Sequence, residues 1–425
     1  MSTDVRSTVG SSTLTPRRAP HRGHRPAGLL AVAAALAAQL ACSSTGRVPQ
    51  RRPEAGATPP TASEVTDLLD HATVQPWFFD PSAGQSVEVS YTLSRPARVT
   101  VSIYGPNHEL VAQPVAGAER EAGSHQETWD GLDADGAVVA DEAYYPVVEA
   151  RSSTGVQVYD PAASSGGERI NPRDIHFDPR EGLISYVLPE PSRVLLRAGI
   201  DEGPLLATVV NWEPRGAGLS TEHWSGRDQQ GLRSFSREPD ALVIVQAYAL
   251  PEHSVIAIGN RQTTYRERYL AWGSERPRRP LPTRGPAAEA IESPHWRQPV
   301  HLDKDPRISV TFPDREDGSG YDPTRSVQVS GDRALVRVDV PNQVTKRFLR
   351  DQRFELVAFV DDQRVDEAEQ AHLPFNWSWN LSDLEPGEHW LTINLVTFSQ
   401  LVGTTTRRVT VLPPADQDAA AEPER

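Results

Sequence analysis

From residue 87 onward, apolar and polar residues alternate one by one through much of the chain. Val87, Val89, Tyr91 and Leu93 alternate with Glu88, Ser90 and Thr92, and Val99, Val101 and Ile103 with Thr100 and Ser102. Successive side chains of an extended chain point to opposite sides, so each run predicts a strand with one buried face. Ser94, Arg95 and Pro96 break the first run, and Gly105, Pro106 and Asn107 supply turn chemistry after the second. Tyr144, Tyr145, Val147 and Val148 predict a closing strand. No helical period runs through this region. The alternation returns in Ile184, Tyr186 and Leu188, then in Val194, Leu196, Ala198 and Ile200. Leu242, Val243, Ile244 and Val245 are apolar on both faces and predict a central strand covered on both sides. Nearer the C-terminus, Val336, Val338 and Val340 alternate with Arg337 and Asp339, and Leu391, Ile393 and Leu395 with Thr392 and Asn394. Short strands separated by frequent turn signals read as β-sandwiches.

One stretch occurs twice. Residues 91–136 and 186–231 align without a gap, pairing Tyr91 with Tyr186, Leu93 with Leu188, Pro96 with Pro191 and Arg98 with Arg193. Further along, Gly123 pairs with Gly218, Trp129 with Trp224, Gly131 with Gly226, Asp133 with Asp228 and Gly136 with Gly231. Solenoid repeats are about 20–50 residues long, so a longer period marks a duplicated domain. Within the closing motif the second copy has Ser225 opposite Asp130 and Gln230 opposite Asp135.

The order of these motifs is a strand ending in Tyr-x-Leu, then Pro-Ala-Arg-Val, Ala-Gly-x-His, Trp-Asp-Gly, Asp-x-x-Gly and an aromatic closing strand. It resembles the Ig-like domain of the flagellar hook-capping protein, a module also attached to many exported bacterial proteins. The resemblance implies an Ig-like sandwich and does not imply a flagellar role.

Composition agrees with several small domains. The chain has 425 residues, 38% of them apolar, and 37 prolines suited to connectors. Residues 1–26 carry Arg6, Arg17, Arg18, Arg22 and Arg25 against Asp4, and 27–41 are apolar save Gly28 and Gln39. That is signal-peptide chemistry, too short for a membrane span. It ends at Cys42, the only cysteine. The stretch resembles a bacterial lipoprotein signal, which implies acylation of Cys42. Gln39 departs from the aliphatic residue usual three places before the cysteine. Cleavage there would remove five basic residues and one acid, taking the net charge from −14 to −18. An acidic surface repels nucleic acid and anionic headgroups, and a lone cysteine allows no internal disulfide.

The expected order is therefore a signal peptide (1–41), a disordered tether (42–75), two copies of the hook-cap type domain (76–165 and 166–260), a Pro/Arg-rich extended linker (261–306), a divergent Ig-like domain (307–413) and a disordered tail (414–425). The fold class is all-β, three Ig-like sandwiches in series. The linker's arginines are expected to dock on an acidic face of a neighbouring domain.

Catalytic motifs are missing: no nucleophile elbow, zinc helix, phosphate-binding loop or Cys-x-x-Cys pair occurs. Asp130, Asp133 and Asp135 can be read as a calcium loop or as caps of their own turn, and the second reading is favoured because the copy keeps only Asp228. Trp129 and Trp224 read as core anchors. Trp377 and Trp379 share a strand face and are the candidate sugar ligands. No metal or cofactor is expected. These residues point to a non-catalytic envelope scaffold or adhesion protein, exported and lipid-anchored at the outer membrane or cell surface, with an envelope or surface protein as partner. Polysaccharide binding through the third-domain aromatics is the alternative, and a hydrolase with an unrecognised site is a third reading.

Overall fold

Strands form where the alternation places them, and the chain then doubles back. The computed structural model describes residues 67–273, 276–279, 305–315, 322–398 and 401–413. The expected signal with Cys42, most of the expected tether and the expected tail lie outside the described residues.

The first sandwich contains β1 (Leu69–Gln75), β2 (Phe78–Phe79), β3 (Val87–Leu93), β4 (Ala97–Tyr104), β5 (Leu110–Arg120), β6 (Gly123–Trp129), β7 (Glu142–Ser152) and β8 (Gly155–Tyr159). One sheet runs β1-β3-β6. Its inward residues Val87, Val89, Tyr91 and Leu93 are fully buried and share a core with Val99, Val101, Ile103 and Val148 of the other sheet. Strand β1 corrects the expected tether boundary at 75. Leu69 and Val74 are buried, and Val74 pairs with Val89. Polar Asp70 and Thr73 between them blur the alternation that would have shown it.

A short helix α1 (Pro161–Ser164) leads into the second sandwich. It is built from β9 (Arg169–Ile170), β10 (Arg173–Asp178), β11 (Leu183–Leu188), β12 (Ser192–Ile200), β13 (Leu205–Arg215), β14 (Gly218–His223) and β15 (Ala241–Ala249). Its sheets are β10-β11-β14 and β13-β12-β15-β9. The duplication is kept at the level of register. Tyr91 pairs with His125 and Leu93 with Gly123 in the first copy, and Tyr186 with Ser220 and Leu188 with Gly218 in the second.

After β15 the chain returns to the first sandwich. Strand β16 (Val255–Ala257) lies antiparallel to β7, Ile256 opposite Ala143, and parallel to β2, Ile256 opposite Phe78. The first sandwich's larger sheet is thus ordered β2-β16-β7-β4-β5, with β8 on β7 further along. Helix α2 (Tyr265–Trp272) follows, opened by a capping box between Thr264 and Glu267. Its Tyr265 and Trp272 join the first sandwich's buried cluster. The expected limit at 260, the extended linker and the serial order are all corrected here: the second sandwich is inserted into the first. Three apolar residues in a row, Val255, Ile256 and Ala257, announce a strand but carry no information about whose edge they join.

The third sandwich contains β17 (Ser309–Thr311), β18 (Val327–Val329), β19 (Arg333–Asp339), helix α3 (Gln343–Arg350), β20 (Phe354–Val360), β21 (Gln363–Ala368), β22 (Phe375–Asn380), β23 (Gly387–Thr397) and β24 (Val402–Val411). Its sheets are β17-β19-β22 and β18-β24-β23-β20-β21.

The second sandwich is wedged between the other two, and β12 is the strand buried on both faces. Val194, Leu196 and Ala198 enter its core while Arg193, Leu195 and Arg197 on the opposite face are at most 3% exposed. Arg193 reaches Glu142 of the first sandwich at 2.7 Å. Arg197 reaches Asp305 at 2.9 Å, which also accepts from Thr208 and from the Val402 amide. The doubly covered strand was expected at Leu242, Val243, Ile244 and Val245, but the first three are only half-buried. Among the described residues, β15 meets only β9 on its outer edge, at Ala247 and Tyr248.

A chain cut after residue 253 loses β16 and α2 and leaves the β7 edge bare at residues 142–144. Limited proteolysis should then cut rapidly within residues 69–159, whereas the full chain resists. Equal resistance would show that the returning segment does not hold the first sandwich together.

Candidate functional site

The duplicated Trp-x-Gly-x-Asp-x-x-Gly stretch is a self-capping turn at the end of β6 and of β14. Trp129 Nε1 donates to the Leu132 carbonyl at 2.9 Å, and Trp224 Nε1 to the Arg227 carbonyl at 3.0 Å. Asp133 Oδ1 accepts from the amides of Asp135 and Ala137, and Asp228 Oδ1 from those of Leu232 and Arg233. Asp130 Oδ1 accepts from the Leu132 amide at 3.0 Å. Gly131 and Gly226 both stand at φ +74, and a Cβ would lie 2.3 Å from Pro81 or from Ser236. Gly136 and Gly231 take left-handed φ values of +78 and +72. Trp129 is 2% and Trp224 9% exposed. Both are core residues.

The two copies differ in what meets the second aspartate oxygen. In the first, Arg268 of α2 donates to Asp133 Oδ2 at 2.6 Å, and Arg276 reaches Asp135 at 2.6 Å. Guanidinium groups therefore stand where the calcium reading put a metal ion. In the second, Asp228 Oδ2 is buried with no hydrogen-bond partner among the described residues, and burial pushes its carboxyl above the usual range against the opposing backbone donors.

The arginine segment after α2 docks on the first sandwich, as the charge pattern led us to expect. The Arg279 amide donates to the His108 carbonyl and the Leu110 amide to the Pro277 carbonyl. The guanidinium of Arg279 pairs with Asp160. Arg276 lies 4.9 Å from the Trp272 ring and Arg278 4.8 Å from that of Tyr269. Beneath them Glu109 is fully buried, accepting from the Tyr265 hydroxyl at 2.6 Å and the Asn107 amide at 3.1 Å. Burial raises its carboxyl from 4.5 to about 7, against the lowering effect of the Tyr265 hydrogen bond and of Arg278.

A second duplicated constellation escaped the sequence reading. Tyr91 donates to Glu127 at 3.0 Å and Arg120 to the same carboxylate at 2.8 Å. Tyr186 donates to Glu222 at 2.9 Å and Arg215 to Glu222 at 2.7 Å. Burial, aided by the carboxylate, pushes both phenols up. The carboxylates sit on β6 and β14 and the arginines on β5 and β13, so each triad ties one sheet to the other. The constant spacing that matched the tyrosines also matches Glu127 with Glu222 and Arg120 with Arg215, and that was the available signal.

The candidate sugar ligands do not form an exposed platform. Trp379 is 2% exposed within the third core. Trp377 is half-buried and stacks on Trp379 at 5.8 Å. The strand points both rings to its inner face, where the neighbouring sheet covers Trp379. Trp377 Nε1 donates to Asp366 at 2.5 Å. Among the described residues, no cluster of three His, Cys, Asp or Glu side chains is arranged to hold a metal ion.

Residues 79–154 match the family described as the FlgD Ig-like domain, which covers most of the first sandwich. No curated protein matches the chain. Among solved structures the chain is similar to the endo-β-1,4-mannanase from Thermotoga petrophila at 14% identity over 45% of this chain and 29% of that one, with a TM-score of 0.19. It is also similar to a tetra-tandem repeat in the extending region of a large adhesion protein, at 14% identity over 81% and 75%, with a TM-score of 0.16. A third is a 1.5-MDa bacterial ice-binding adhesin, at 10% over 82% and 98%, again with a TM-score of 0.16. The chain spans 29% of the length of the mannanase, and at these TM-scores no activity transfers from any of the three.

Glu109 keeps its proton to about pH 7 in the folded protein and releases it near 4.5 when unfolded. The folded state thus binds more protons in that window, and stability falls as pH rises from 4.5 to 7. Glu109→Gln should remove this part of the slope, read as a smaller change in urea midpoint between the two pH values than in the wild type. Trp129→Ala should cost about 3–5 kcal/mol, with Trp224→Ala at the lower end because its ring is less covered. Urea unfolding checks both, and a loss under about 1 kcal/mol would contradict the anchoring role.

Proposed function

We propose that the chain is a non-catalytic scaffold of the cell envelope, presenting Ig-like sandwiches as one firm arm to another exported protein. What carries this reading is the pair of locked seams on either side of the second sandwich. The Arg193–Glu142 pair is buried on both sides, with Arg193 also donating to the Trp212 carbonyl at 2.8 Å. At the other seam the Asn394 amide exchanges two hydrogen bonds with the Leu205 backbone, and Arg233 grips Asp362 through both nitrogens. Gln230 adds bonds to the Thr404 and Thr406 backbone. Domains joined only by a linker move independently, whereas seams of this kind fix their relative pose. A spacer or presenter needs that stiffness.

Support for export comes from the basic, apolar and cysteine order at the N-terminus, and lipid anchoring at Cys42 belongs to the same proposal. Labelling cells with a palmitate analogue should mark the wild type and not Cys42→Ser, and equal labelling would remove the anchor. The sugar-binding alternative loses its platform with Trp379 in the core. Cross-linked pull-down from the native envelope should recover one stoichiometric protein partner. Retention on purified envelope polysaccharide, lost in Trp377→Ala with the fold intact, would overturn the scaffold reading.

A further inference from the structure

Two buried carboxylates of the first sandwich each have a guanidinium against them: Asp133 has Arg268 and Glu142 has Arg193. Glu109 does not. Among the described residues its carboxyl accepts from the Tyr265 hydroxyl and the Asn107 amide and meets no cation. It is 0% exposed and packs directly on Gly105, where a Cβ would lie 1.9 Å from its Oε1. The cations around it are engaged elsewhere. Arg268 and Arg276 meet Asp133 and Asp135, Arg279 meets Asp160, and Arg278, across the antiparallel bridge from Glu109, lies over the Tyr269 ring. On the other side Tyr144 and Tyr145 of β7 feel its charge, Tyr145 being bonded to His108 at 2.6 Å. Glu142 acts on Tyr265 but is itself paired with Arg193. A carboxyl in such a place is tolerated with its proton and costly without it.

Helix α2 and the arginine segment after it cover Glu109, and the two are held unequally. Tyr265 and Trp272 anchor α2 in the core. Residues 276–279 reach the backbone of the first sandwich through two hydrogen bonds among the described residues, from the Leu110 amide to the Pro277 carbonyl and from the Arg279 amide to the His108 carbonyl. The rest of their hold is side-chain charge and ring stacking near the surface, where Asp135 is 59% exposed. A segment with few backbone bonds and exposed ion pairs opens at a lower free energy than a core strand.

We propose that residues 276–279 are a proton-operated latch on the first sandwich, closed while Glu109 beneath them is protonated and released when it ionises. In the closed form burial holds the carboxyl up to about 7, and in the open form it returns toward 4.5. The closed form therefore binds more protons between those values, and closure weakens as pH rises through them. Release frees the backbone edge at residues 108–110 and the carboxylates of Asp135 and Asp160. The role of the latch rests on the scaffold reading, to which it adds control over which edges the scaffold presents.

The test is hydrogen–deuterium exchange of the purified full chain, followed by mass spectrometry across pH and corrected for the intrinsic exchange rate. Protection of peptides covering 108–112 and 276–279 should fall by about thirtyfold between about pH 5.5 and about pH 8. Peptides from 99–103 and 336–340 should keep theirs. Glu109→Gln should remove the difference and keep the segment closed at both values. Tyr265→Phe leaves the ring in the core and removes a hydrogen bond that lowers the carboxyl, so its release should move to higher pH. That variant decides the matter if Glu109→Gln does not fold. Protection that is flat with pH, a loss shared by 336–340, a difference that persists in Glu109→Gln, or a midpoint that stays or falls in Tyr265→Phe would each overturn the latch. If the latch fails while the envelope pull-down still yields its stoichiometric partner, the scaffold reading stands without it. A pull-down that fails while protection still follows pH removes the scaffold reading and leaves the latch.

Discussion

Glu142 is the residue on which the arrangement turns. Its backbone, at the start of β7, pairs with Ala257 of the returning strand, and its side chain is buried against Arg193 of the second sandwich. A carboxylate and a guanidinium taken together out of water roughly break even in free energy, but either one left alone in the same place is strongly destabilising. The pair therefore acts less as glue than as a requirement: the first two sandwiches must meet in the one pose that brings both charges together. Strand β16 then closes the first sheet at the same point, which links the folding of the first sandwich to the chain that follows the second.

The duplication kept its turns and triads and gave up its surroundings. Asp133 has guanidinium partners from the returning segment, whereas among the described residues Asp228 keeps an unpartnered buried oxygen. The same turn is thus compensated in one copy and carries an electrostatic penalty in the other. The ties between the two sheets of each sandwich follow a similar logic: an arginine–glutamate–tyrosine group joins β5 to β6 and β13 to β14, and in the third the Trp377 indole reaches from β22 to Asp366 of β21.

Stiffness and closure together shape the functional reading. A string of independent beads would leave every strand edge accessible in many poses. Here β12 is covered on both faces, and the arginine segment clasps the first sandwich, with Tyr265 placed over Glu109. Among the described residues, what remains open is a smaller set of edges. A scaffold built this way selects partners by what it leaves exposed.

The period-two alternation by itself specified the main core strands and the all-β class, though not β1, because a buried face on a pleated chain leaves a direct imprint on every second residue. The gap-free repeat determined the second sandwich's register and the self-capping turns, since each of those bonds is made within a few residues of its donor. Burial of Trp129 and Trp224, and docking of the arginines on acidic groups, were legible for the same local or compositional reasons. The tertiary structure alone decided which edge Val255, Ile256 and Ala257 would join, that β12 rather than β15 lies under both neighbours, and that Trp379 is core while Trp377 is half-buried. Those outcomes depend on contacts between residues far apart in sequence, and a strand's pattern says which face is buried without saying what buries it.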